Sequence, residues 1–204
     1  MRLYDSLEMF DTGLSHVRKW MRCGQAIRQS TRLPLDTAYS LGDSLTFWAV
    51  PAGALADDRY VGHRRYHTVL SPIDEPLAVY VRAKTALRPA GAYSDVSDRE
   101  WFGLPNDDEE GVPCVVPVGG VLIMEECEAM RINATPEAVG RVSVVRVTVE
   151  GSRSPIIRDN SGPVRVFQSP VQEDASRDRS MKRSADFVFP CTVITVKSLL
   201  CRMR

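Results

Sequence analysis

The sequence predicts an α+β, strand-dominated fold: an antiparallel β-sandwich or barrel carrying one long N-terminal amphipathic helix. Three observations predict it. An apolar stripe of helical period opens the chain, β-branched runs fill its later part, and turn residues punctuate those runs at short spacing.

The helix comes first. Leu3, Leu7, Phe10, Leu14, Val17 and Met21 alternate between spacings of four and three, so they share one helical face. Asp5, Glu8 and Asp11 lie near its start and Arg18, Lys19 and Arg22 near its end, as the helix dipole favours. Gly24 is the expected stop, although Asp11-Thr12-Gly13 weakens the middle. The stripe must be covered by the chain's own sheet or by another subunit; its acidic residues oppose binding to an anionic membrane.

The strands follow. Leu45–Val50, Tyr66–Leu70 and Leu77–Arg82 read as strands, and Asp98–Phe102 as a short helical turn. Val112–Met124 is Val-rich and broken at Gly119-Gly120, while Arg141–Glu150 is nearly continuous β-branched sequence. Within it Val145, Val147 and Val149 share one face and Val142 and Val144 the other, which predicts a strand covered on both sides. Gly162–Phe167 and Phe187–Val196 are further strands, and the polar stretch about residues 169–186 is expected to be a mobile loop. The expected organisation is a single domain over residues 1–204, with residues 1–24 the helix and 25–204 a β-rich body.

Composition narrows the function classes. The 26 basic and 26 acidic side chains cancel, so no global field draws the chain to nucleic acid, and any such role needs a local patch. No run of about 18 apolar residues spans a bilayer. The five cysteines (Cys23, Cys114, Cys127, Cys191 and Cys201) are scattered without CxxC or zinc-finger spacing. They read as reduced, mostly buried thiols of a cytoplasmic protein, with no metal and no cofactor expected.

Two constellations carry candidate chemistry. Arg59, His63, Arg64, Arg65 and His67 form a small cationic, partly aromatic patch suited to a phosphate or a single-stranded nucleic acid. If extended, it points His63, Arg65 and His67 one way and Arg64 and Tyr66 the other; if helical, it puts both histidines on one face, though without the glutamate of HExxH. The second is Asp159-Asn160-Ser161-Gly162-Pro163, which resembles the nucleophile loop of chymotrypsin-like proteases. With His67 as base and Asp95 or Asp74 as its acid, Ser161 completes the order His-Asp-Ser. Asp159, however, puts a carboxylate where an oxyanion must be stabilised, and Asn-Ser-Gly-Pro is also an ordinary tight turn. Gly119-Gly120 lacks the lysine and following helix of a phosphate loop.

The reading favoured by the sequence is a non-enzymatic structural or assembly protein acting through contacts with itself or another protein subunit, such as a shell, matrix or accessory subunit, viral ones included. A serine hydrolase and a nucleic-acid binder are the alternatives.

Overall fold

A computed structural model describes residues 1–105 and 112–149, and the backbone of residues 192–194. In chain order its strands are β1 (Arg2–Tyr4), β2 (Ala38–Ser40), β3 (Leu45–Pro51), β4 (Tyr60–Gly62), β5 (Tyr66–Pro72), β6 (Leu77–Ala83), β7 (Arg88–Pro89), β8 (Glu100–Gly103), β9 (Cys114–Val116), β10 (Val121–Met124), β11 (Glu128–Ile132), β12 (Arg141–Thr148) and β13 (Thr192–Ile194). Helices α1 (Leu7–Leu14) and α2 (Arg18–Ser30) lie between β1 and β2. The result is strand-dominated and α+β: two sheets, every strand pair antiparallel, and two helices among the described residues.

The first sheet runs β1-β10-β5-β12-β3-β2-β13 and the second β7-β8-β4-β11-β6-β9. β12 is the spine of the first, with Val145 opposite Phe47 of β3 on one side and Val69 of β5 on the other. Its two-sided pattern is as expected. Val145 and Val147 pack with Phe47, Val69 and the helices, whereas Val142 and Val144 pack with Leu70, Val79, Met130 and Ile132 in a core shared by both sheets. A smaller cluster of Tyr60, Leu87, Phe102 and Ala129 serves the far side of the second sheet.

The single long helix is not what forms. Residues 2–4 pair with β10, and the remaining turns split at Ser15–Val17 into α1 and α2. Ser6 caps α1 by accepting from the Met9 N–H at 3.2 Å. The Thr12 hydroxyl then donates back to the Glu8 carbonyl, a local bond that weakens a helix interior, and Gly13 follows. The stripe therefore breaks up. Phe10 is fully buried, Leu7, Leu14 and Val17 are partly buried, and Leu3 and Met21 are 39% and 40% exposed. The buried face of α2 is instead Trp20, Cys23, Ala26 and Ile27, and Phe10 meets Trp20 edge-to-face at 6.3 Å.

Gly24 is no stop either. It lies inside α2, where any side chain would collide with Asp11, and its bareness lets α1 approach closely enough for Asp11 to pair with Arg28. A buried relay joins α2 to the first sheet: Ser143 of β12 donates to the Ser30 hydroxyl, which donates to the Ala26 carbonyl, both at 2.9 Å. No described helix is long and apolar enough to cross a membrane. The helical turn expected at Asp98–Phe102 is β8 from Glu100 onward. Of the expected later strands, Gly162–Phe167 and most of Phe187–Val196 lie outside the described residues, as do the loop about residues 169–186, Ser161, Cys191 and Cys201. Cys23 is buried, which raises its thiol pKa, whereas Cys127 is exposed.

Candidate functional site

Alternation along β12 places one charge in an otherwise apolar row. Val142, Val144 and Arg146 share the face turned toward the second sheet, so Arg146 enters the space between the sheets. There it lines a cavity of about 90 Å³. Trp48, Thr68 and Leu70 wall it from the first sheet, Val61, Met130 and Ile132 from the second, and Ala54–Asp57 from the turn after β3. Among the described residues, four arginines (Arg59, Arg99, Arg131 and Arg146), His63 and one carboxylate, Asp57, line it. Asp57 is already engaged, accepting from the Arg59 backbone and side chain at 2.9 and 3.2 Å.

The Arg146 guanidinium lies 5.3 Å from the Trp48 ring and 5.9 Å from that of Tyr66, and it donates to the Ser97 carbonyl at 3.3 Å. Its Nε is buried with no acceptor. A buried donor of this kind costs roughly 1–3 kcal/mol until something accepts from it. Burial, and then repulsion from Arg99, bring the Arg146 pKa down to about 10 against the opposing pull of Asp98 and Tyr66.

Behind the cavity, Asp98 organises the segment the sequence reading took for a surface patch. Its carboxylate is 3% exposed and accepts from Tyr93 Oη at 2.7 Å, from the Arg65 N–H at 3.1 Å and from the Arg64 N–H at 3.2 Å. Burial raises its pKa, but these donors and His63 outweigh that and hold it below the usual carboxylate range. The buried His63 ring sets Nδ1 2.5 Å from the Asp98 carbonyl, so a neutral imidazole donates there. Burial, then repulsion from Arg146, lowers the His63 pKa to about 4, against the Asp98 carbonyl and carboxylate.

The remaining patch residues separate. Arg64 donates to Glu100 at 2.6 Å and lies 4.1 Å from the Tyr93 ring; Arg65 bonds Asp95; and Lys84 bridges Glu100 and the His63 carbonyl at 2.5 and 2.7 Å. Arg59 stacks 5.3 Å from Trp101. His67 lies on the other side of the first sheet, 5.9 Å from Trp20, with Glu126 3.4 Å from its Nδ1. The structure therefore joins Arg59 and His63 at the cavity, ties Arg64 and Arg65 into ion pairs, and sends His67 to the helix layer. The proteolytic alternative fares similarly: Asp95 pairs with Arg65, and Asp74 with Arg141 through three 2.9 Å bonds, two from the arginine side chain and one from its backbone N–H, that pull the Asp74 pKa down to about 2. The carboxylate beside His67 is instead that of Glu126.

No protein-family model matches this chain. The site therefore rests on its own geometry. Arg146 and Arg99 are the residues the sequence reading missed. For Arg146 a signal existed, since an arginine at period two with Val142 and Val144 in a β-branched run is a charge on an inward face. For Arg99 there was none, because its approach to Arg146 follows from the turn that Asp98 makes at φ 49°.

Proposed function

We propose that this chain acts by binding, as a structural or assembly protein that pairs with a second copy of itself through a sheet edge, on a sandwich of jelly-roll type. The strand order supports the sandwich reading. β10-β5-β12-β3 faces β4-β11-β6-β9 across one apolar core, and the chain crosses between the sheets at each step from β3 to β6 and again from β9 to β12. Jelly rolls serve capsid shells and ligand-binding domains alike, so this is support by fold analogy.

The observation that carries the self-association reading is β9. It is the terminal strand of its sheet among the described residues, pairing only with β6. Val115 is 56% exposed on it, and the flanking Val112 and Val118 are 93% and 49% exposed. Sheet edges are ordinarily blunted by charge, proline or shortness; Pro113 and Pro117 keep this one to three residues, but it carries no charge and leaves its valines exposed. Edge-to-edge pairing of identical short strands gives a two-fold, self-complementary contact.

Light scattering across a range of concentrations tests this. A mass of at least two chains that falls toward one on dilution and in Val115→Lys is expected. A strict monomer at every concentration overturns it.

A further inference from the structure

The cavity between the sheets has a use that edge pairing does not require. It presents one buried guanidinium, that of Arg146, and among the described residues no carboxylate of its lining is free to bind it. Asp57 is taken by Arg59, and Asp98 is held by two backbone N–H groups and Tyr93 behind the cavity. Arg146 and the exposed Arg99, like charges, line the same cavity, and Arg146 keeps a buried Nε without an acceptor. Two guanidiniums held this way are stabilised by an anion between them.

We propose that this cavity binds a small organic carboxylate, its oxygens bridging Arg146 and Arg99 and its apolar part lying against Trp48.

Three features select the class. The volume of about 90 Å³ admits a compact headgroup. A guanidinium already stacked on Trp48 and Tyr66 has its edge left to offer, and that planar edge matches a carboxylate. The other walls include Leu70, Met130, Ile132 and Val144, which favour a ligand with a short alkyl chain over inorganic phosphate. His63 is neutral near pH 7 and donates away from the cavity to Asp98, so it adds no competing charge.

The test uses the full chain, with calorimetric titration of butanoate and inorganic phosphate at matched ionic strength and tryptophan fluorescence to follow Trp48. Saturable butanoate binding is expected, tighter than phosphate, weakened at least tenfold in Arg146→Gln and several-fold in Arg99→Gln. Absence of saturation by butanoate in the folded protein overturns the proposal, and so does undiminished binding in Arg146→Gln. Phosphate binding tighter than butanoate overturns the carboxylate assignment. Should Arg146→Gln fail to fold, the exposed Arg99→Gln decides, and unchanged affinity there overturns the site. None of these readouts depends on the oligomeric state.

Discussion

Lowering the pH places on His63 a proton that the fold resists. The ring is 4% exposed, its Nδ1 is committed to the Asp98 carbonyl, and Arg146 and Arg99 repel a second positive charge, so its folded pKa is about 4 against 6.5 for the free side chain. Between those values the unfolded chain binds more protons than the folded one, so this contribution is complete above about pH 6.5 and is lost as the pH falls toward 4. At pH 5 the loss is ~2 kcal/mol, and it levels off at ~3 kcal/mol below the folded pKa. The carboxylates Asp98, Glu100 and Asp74 have lowered folded values, so their contributions persist above their unfolded values and fade only at still lower pH. A comparison of pH 7 with pH 5 thus isolates the imidazoles. His67, also lowered by burial, adds a smaller effect of the same sign. Urea denaturation followed by tryptophan fluorescence at both pH values reads the difference. His63→Asn keeps a donor for the Asp98 carbonyl but does not titrate, and should remove more than half of the pH-dependent loss. An equal loss in variant and parent refutes the account of the His63 environment.

Two further outcomes follow from the same contacts. Asp98→Ala strips the acceptor from Tyr93 and from the Arg64 and Arg65 N–H groups, leaves Arg65 without its buried counter-charge, and puts alanine at φ 49°. It should cost about 3–5 kcal/mol in urea denaturation, whereas Asp98→Asn, which tolerates the left-handed conformation, should cost clearly less. Gly53→Ala drives a methyl group into the Pro136 carbonyl and against that of Ala138, backbone that cannot rotate away, in a turn already fixed by a 2.9 Å bond from Gly53 N–H to the Ala138 carbonyl. A loss of roughly 1–3 kcal/mol, seen as a lower Tm in calorimetry, is expected.

What could be read in the sequence was what local pattern alone specifies. β3, β5, β6 and β12 were visible because each is seven or eight residues long and rich in β-branched or aromatic residues. β11 was not. Glu-Ala-Met-Arg-Ile consists mostly of good helix formers and is held extended by β4 on one side and β6 on the other. The N-terminal stripe misled for a related reason. Its period was genuine, but Leu3 pairs in β1 with Leu122 of β10, and beyond the break Trp20, Cys23 and Ile27 bury a different face. In the cationic segment, residue types were legible and directions were not: His63 lies ahead of β5, so its ring does not follow the alternation that His67 obeys.

By itself the sequence determined a strand-dominated α+β chain, the two-sided burial of β12, and a reserve of arginines balanced by acids, because alternation and composition act within a few residues. Only the tertiary structure decided where those charges go. Pairing β12 between β3 and β5 turns Arg146 into the space between the sheets. The turn at Asp98 draws His63 and Arg99 to it, while Asp95, Asp98 and Glu100 neutralise Arg64 and Arg65. Those partners stand thirty or more residues apart in the chain, and a charge's meaning depends on its solvation and neighbours, which folding supplies.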